Sequence, residues 1–261
     1  MLIQNKINNL RKQDIQNFNT NYFTNKLARN VSVFENDKAI LILCQDRDIY
    51  RLYFAYNDLF SFEKILRQIP QDIQICIEIL VKCGIDEKIK NILCKYFTFD
   101  TIFQRLRCDV SKVKIFKIYN KIEYAINSDF NTINNALNNT FNHHSSHLPN
   151  QDELLSLIET KKVIVVRKND KIVNFIIYKE NNNNINFDQF ISFDRKAIHT
   201  MKVLDYLYGT IKNKNYKTIY LWVDIINNSP VKKLHIFYGY SPDGLQNYIF
   251  INKALKDGIK K

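Results

Sequence analysis

Two side chains able to hold or donate a proton stand three residues apart near the end of the chain, His235 and Tyr238, within VKKLHIFYGYSPDGLQNYIF. That spacing puts them on one face of a helix. An imidazole titrates near neutrality and a phenol near 10, so the pair suits proton transfer, or else both rings are packing. A second group, His143, His144 and His147, has the spacing of helical metal ligands. It lies in the irregular stretch FNHHSSHLPN without a neighbouring carboxylate or cysteine, and no metal site is assigned to it. The five cysteines, Cys44, Cys76, Cys83, Cys94 and Cys108, lack C-x-x-C spacing and mostly sit in apolar runs. There a thiol behaves as a small hydrophobe, which selects neither zinc nor a disulfide framework.

The elements that would position these residues can be read from periodicity. Ser229 is an N-cap, Pro230 fits the first helical turn and Gly239 fits the left-handed position after the last one, so residues 229–238 read as a helix. TIYLWV (Thr218 to Val223) precedes it as a buried strand. Ile198, Met201, Leu204, Tyr208 and Ile211 recur at spacings of three and four, an amphipathic helix. Strands are expected at Val163 to Arg167, Lys171 to Tyr178 and Ile185 to Ser192. Asn150 caps a helix that carries Asp152 and Glu153 in its first turn. A helix-leaning segment covers Glu123 to Thr140, VKIFKI (Val113 to Ile118) alternates like a strand, and Gly244 reads as a turn before the final strand LQNYIFI. This order defines an α/β protein with a mixed sheet and helices on its faces.

The pattern occurs twice. Ile77 to Leu106 lies over Ile219 to Tyr248 without a gap at an offset of 142, pairing Ile79 with Leu221, Val81 with Val223, Ile92 with Leu234 and Tyr96 with Tyr238. Upstream, VSVFENDKAILIL (Val31 to Leu43) lies over IVVRKNDKIVNFI (Ile164 to Ile176) at an offset of 133, each with Asn-Asp-Lys as a hairpin turn. Extra residues between hairpin and helix in the second copy absorb the difference. Two domains follow, 1–111 and 112–261.

With 261 residues and 46% hydrophobic content the chain can bury a sizeable core. A formal charge of +12 suits an anionic partner. No block of Lys and Arg with interleaved aromatics forms a nucleic-acid stripe, so nucleic acid is not selected. No apolar run approaches a bilayer span and the polar N-terminal stretch lacks an apolar core, so the expectation is a soluble, cytoplasmic protein with no membrane partner.

The second copy resembles the GCN5-related N-acetyltransferases (GNAT). LWVDIINNSPVKKLHIFYGYSPDG resembles that family's final motif, with Val223, then Asn227, an aromatic position held by His235, and Gly239 followed by Tyr240. The family's phosphate-binding pattern falls on Arg195, Lys196, Ala197, Ile198, His199 and Thr200, where Ile198 and Thr200 replace the expected glycines. β-Branched side chains crowd a phosphate there, while Arg195, Lys196 and Lys202 add charge that favours it. In the first copy Ile85, Leu93 and Phe97 stand opposite Asn227, His235 and Gly239, so it resembles a degenerate GNAT-like domain.

The resemblance implies two GNAT-like domains, each a mixed central sheet flanked by helices, and acetyl-CoA as acyl-donor substrate of a primary amine acceptor, an amino sugar or another small-molecule amine. It implies that the donor is held by Phe190, Ile191, Phe193, Arg195 to Thr200 and Asn227. A backbone N–H within the bulged strand, at Phe190 to Phe193, would receive the oxyanion. His235 as imidazolium, or Tyr238, would protonate the leaving thiolate, and Asp188, on one strand face with Phe190 and Ser192, would be the base. The three histidines, with Leu148 and Pro149, would line the acceptor cleft. The missing glycines keep a second reading open, a non-catalytic acyl-CoA-binding or protein-interaction module.

Overall fold

The computed structural model describes residues 2–22, 31–119 and 121–259. They form two compact units, the first made of Met1–Phe103 with Gly244–Lys261 and the second of Gln104–Asp243. The expected division at residues 111 and 112 therefore shifts, and the last strand joins the first unit.

The first unit opens with helix α1 (Leu2–Gln13) and the short strand β1 (Asn19–Thr20), followed by β2 (Val31–Glu35), β3 (Ala39–Asp46) and β4 (Ile49–Tyr56). Helix α2 (Leu59–Leu66), β5 (Ile75–Lys82), helix α3 (Glu87–Tyr96) and the start of β6 (Thr98–Asp109) come next. The sheet order is β2-β3-β4-β5, then the chain's last strand, then β6. Asn36 makes the first hairpin turn by side chain, its Oδ1 accepting the N–H groups of Lys38 and Ala39, both at 2.9 Å. Helices α2 and α3 bury Phe62, Ile65, Ile92 and Leu93 against Leu41, Phe54 and Ile77 on one face. Helix α1 buries Ile7 and Leu10 against Ile40 and Ile42 on the other.

The second unit continues through α4 (Phe130–Thr140), α5 (His143–Ser146), α6 (Gln151–Glu159), β7 (Val163–Lys168), β8 (Lys171–Asn181), β9 (Asn184–Ser192), α7 (Ala197–Lys212), β10 (Thr218–Asp224) and α8 (Ser229–Phe237). Its sheet order is β6-β10-β9-β8-β7. The β7–β8 turn is closed by Asn169 and Asp170, both with positive φ (50° and 60°), as the residue types foretold. The expected Asn150 cap is a full capping box with Glu153. Helices α7 and α8 cover one sheet face, burying Leu204, Leu207 and Tyr238 against Ile176, Phe187 and Leu221. Helices α4 and α6 cover the other, with Ile133, Leu154, Phe175 and Ile191. The chain then returns to the first unit as β11 (Ser241–Ile251) and α9 (Lys253–Ile259), β11 pairing antiparallel with β5 from Leu245↔Lys82 to Ile251↔Cys76.

From β2 and β7 onward the two halves of the chain run through the same order of elements. Helix α3 begins at Glu87 and α8 at Ser229, and β6 ends at Asp109 and β11 at Ile251, each pair separated by the offset of 142. Helix α7 has 16 residues where α2 has 8, which accounts for most of the extra length in the second copy. Three local expectations change. Val113 to Ile118 is irregular chain, because the buried Asp205 of α7 accepts the N–H groups of Phe116 and Lys117 at 3.1 and 3.0 Å and so replaces a strand neighbour. Helix α4 starts only at Phe130, behind a 3₁₀ turn at Asn127–Asp129. Gly244, with φ of 87°, lies inside β11 rather than in a turn before it.

That 3₁₀ turn carries an ion pair whose loss should be measurable. Asp129 accepts Arg167 Nη1 and Nη2 at 3.0 and 2.5 Å and the Ile126 N–H at 2.8 Å. Burial acts to raise its carboxyl pKa, but the Arg167 and Ile126 bonds outweigh it and the net shift is downward. A depressed folded pKa stabilises above the unfolded value and loses that contribution as pH falls through the folded one. Asp129→Asn is expected to cost about 2 kcal/mol at pH 7. The difference in melting temperature between the two proteins should shrink steadily as melts are repeated from pH 6 to pH 3.

Candidate active site

The second unit's central strands part. β9 and β10 run parallel but pair only at Asn184↔Thr218, Ile185↔Ile219 and Asn186↔Tyr220, although β9 continues to Ser192 and β10 to Asp224. Beyond that point each strand presents main-chain donors and acceptors to the space between them.

A bulge in β9 lies just past the split. Tyr178 on β8 faces Phe187 and Ile177 faces Gln189, so Asp188 is the extra residue. It reverses the facing of the strand: Ile185, Phe187 and Phe190 pack with the α7 and α8 face, whereas Ile191 packs with the α4 and α6 face. The bulge thus falls two residues before the Phe190 to Phe193 segment where it was expected. Asp188 shares no regular face with Phe190 and Ser192, and its carboxylate is paired with Lys179 Nζ at 2.5 Å. Gln189 is buried with its Oε1 lacking a hydrogen-bond partner, and the buried Asn186 Oδ1 on the same strand lacks one too.

β9 leads directly to the start of α7. Lys196 is the N-cap and the first turn holds no acidic residue, so the leading N–H groups, Ala197 and Ile198, face outward unpaired. Arg195 has φ of 51° and, like Lys196 and Ala197, is exposed. Ile198 and Phe193 are exposed, while Thr200 Oγ1 accepts the Asn174 amide at 3.3 Å. The sequence reading missed Asp194. Its Oδ1 accepts the Lys196 N–H at 3.1 Å and its Oδ2 lies 2.6 Å from His199 Nδ1. Burial acts to raise its pKa, yet the Lys196 and His199 bonds hold the carboxyl below the ordinary value. A short acid two residues before a helix N-cap is the signal that could have found it, since such a side chain bonds nearby backbone N–H groups.

After β10, Asp224 accepts the N–H groups of Ile226 and Asn227 at 3.0 and 2.9 Å and the Asn227 amide at 2.9 Å. The N-cap of α8 is Asn228, and Ser229 is its first helical residue. Gly239 has φ of 105°, a conformation that strains any side chain, and a Cβ there would also sit tightly, 3.2 Å from the Lys112 carbonyl.

His235 does not fit the acid foreseen for it. It is 2% exposed, its ring sits against Phe187 and Tyr240 at centroid distances of 5.1 and 5.3 Å, and Nδ1 has no hydrogen-bond partner. Burial lowers its pKa to about 3, so the ring is neutral across the physiological range and no imidazolium is available. Tyr238 is also buried, packed between Phe116 and Tyr208, with a phenol that lacks a hydrogen-bond partner. Burial, and then the charge of Asp205, push its pKa up, so it stays protonated.

The three histidines fall on and after α5, where His144 is buried and His147 takes φ of 43°. Among the described residues no group of three or more His, Cys, Asp or Glu could hold a metal ion. No helix of the described residues is long and apolar enough to cross a membrane.

A parallel strand pair that opens beside a bulge and delivers a helix N-terminus is the arrangement of the GNAT fold, and comparison with solved structures finds it. A GCN5-related N-acetyltransferase from Sphaerobacter thermophilus superposes with a TM-score of 0.57 at 10% identity, covering 82% of this chain and 80% of that one. A GNAT-family acetyltransferase from Colwellia psychrerythraea gives 0.54 at 11% identity over 95% and 96%. A tandem GNAT protein from the clavulanic acid biosynthesis pathway gives 0.50 at 8% identity over 87% and 84%. No family model and no curated protein sequence matches. The chain carries the GNAT fold.

Proposed function

We propose that the second unit is an N-acetyltransferase that holds acetyl-CoA in the gap between β9 and β10 and transfers the acetyl group to a primary amine. The observation that carries this reading is the parting of β9 from β10 after three paired residues, with the Asp188 bulge and the α7 N-terminus at its rim. The amide-bearing arm of CoA runs along the unpaired edge of Phe190 and Ile191, and Phe193 adds its ring, since its N–H is taken by the Val173 carbonyl at 2.9 Å. The diphosphate docks on the Ala197 and Ile198 N–H groups, with Arg195, Lys196 and His199 around it and Thr200 behind. Asn227 marks the far rim at the end of β10.

The acceptor amine approaches from the side covered by α4 and α6, where the orphaned Asn186 and Gln189 oxygens accept hydrogen bonds from it. Asp188 takes the proton of its ammonium form. The neutral amine then adds to the thioester carbonyl, an N–H of the bulged segment receives the oxyanion, and collapse breaks the C–S bond. Tyr238 donates to the departing thiolate, and the proton that the new amide nitrogen sheds restores the phenol.

Calorimetric titration with CoA, followed by thiol release across a panel of amines, tests the reading. Asp194 places a second negative charge where the diphosphate docks, so Asp194→Asn should tighten CoA about 2- to 5-fold, the scale of one charge at a helix N-terminus. Absence of CoA binding at millimolar concentration would remove the proposal.

A further inference from the structure

The first unit repeats the strand split, and there it is already filled. β4 and β5 run parallel and pair only at Tyr50↔Ile75 and Arg51↔Cys76, the counterpart of the β9–β10 contact. At the divergent end β1 pairs antiparallel with β4, Asn19↔Tyr56 and Thr20↔Ala55, on the edge that β5 has left. The next residue, Asn21, is 1% exposed and bridges both strands. Its Nδ2 donates to the carbonyls of Leu52 on β4 and Glu78 on β5, both at 3.0 Å, and its Oδ1 accepts the Phe54 N–H at 2.6 Å. Thr20 Oγ1 donates to the Phe54 carbonyl at 2.7 Å. A carboxamide with one acceptor and two donors satisfies main-chain groups that the split leaves unpaired. Among the described residues, no strand enters the corresponding space between β9 and β10.

We infer that Asn19 to Tyr22 is a built-in occupant of the first unit's strand gap, with Asn21 standing where an acyl-CoA amide would lie, so that the chain has one acyl-donor site and not two. The statement about the first unit goes beyond the acetyltransferase reading; the count of one rests on it. A second feature agrees. The first copy carries Ile85, Leu93 and Phe97 where the second has Asn227, His235 and Gly239, so it retains no polar group at those positions for a donor. The occupant also closes a hole. Without it the Phe54 N–H and the Leu52 and Glu78 carbonyls would be unpaired in a buried place.

Amide hydrogen exchange on the full chain, resolved to Phe54, reads the occupant directly, and CoA stoichiometry reads its consequence. In the wild-type chain Phe54 should be protected as strongly as its neighbours in the β3–β4 ladder, and CoA should bind at one per chain. Asn21→Ala should speed Phe54 exchange at least tenfold while leaving Ile185 and Ile219 in the second unit unchanged. Free exchange of Phe54 in the wild-type chain, or two CoA per wild-type chain, overturns the inference. If no CoA binds, the acetyltransferase reading falls, and the occupant stands or falls on Phe54 exchange, which the wild-type chain alone supplies should Asn21→Ala fail to fold.

Discussion

Arg51→Met is expected to lower the stability of the chain by about 3–5 kcal/mol, the cost of removing one partner from a buried ion pair. Arg51 is almost wholly buried on β4, donating through Nε to Asp46 at 2.9 Å and through Nη1 to Glu78 on β5. Burial opposes its charge most, but Glu78, Cys76 and Asp46 together outweigh it and the net shift is upward. Asn247 on β11 donates to the other Glu78 oxygen at 2.7 Å, so three strands of the first unit meet at this carboxylate. Removing the guanidinium leaves Glu78 half-desolvated without its cation. For a chain of this size each kcal/mol moves the melting temperature by about 2–4 °C, so a fall of about 6–20 °C is the expected reading. Glu78→Gln in the Arg51→Met background should recover part of it, because the uncompensated charge is then gone. CoA affinity measured well below the melt should be unchanged, as the pair lies in the unit that holds no donor. A single-variant drop under 1 kcal/mol would show that Asn247 and solvent suffice for Glu78.

What could be read in advance was whatever depended on local chemistry. Asn169 and Asp170 take positive φ, Asn150 and Glu153 cap α6, and Gly239 ends α8 because its φ of 105° strains any residue with a side chain. The constant offset of 142 was legible because both copies keep the same apolar face on strand and helix. The rest was settled by distant partners. NINFDQFIS alternates regularly on paper, and the register of β8 decides that Asp188 is the residue left over. VKIFKI alternates too, but the Asp205 carboxylate from α7 takes its N–H groups. LQNYIF looks like the second copy's closing strand, yet its ladder partner is β5, at residues 76–82. Residues 19–22 are polar and carry no strand signal, since what places Asn21 is its side-chain amide reaching two strands more than 30 residues away.

Tyr238→Phe is expected to lower kcat for amine acetylation by about 100-fold, the lower end of what a positioned proton donor contributes, with KM for acetyl-CoA little changed. His235→Phe should leave kcat within about threefold. His235 lies on α8 and Tyr238 caps its C-terminus, and sequence position alone favours His235. Burial reverses the order. An acid must hold its proton at working pH, and a His235 pKa of about 3 leaves the ring neutral from pH 5 upward. The Tyr238 phenol, pushed up by burial and by Asp205, remains protonated beyond pH 10. The sign follows for each. If His235 in its cationic form were the donor, kcat would fall as pH rose through the imidazole range; with Tyr238 as donor kcat has no descending limb on that account below pH 10. His235→Phe also exchanges a ring whose Nδ1 lacks a partner for one that needs none, beside Phe187 and Tyr240, so the variant should fold. A descending limb near pH 6 to 7 in the wild-type protein that disappears in His235→Phe, together with full activity of Tyr238→Phe, would return the role to the histidine.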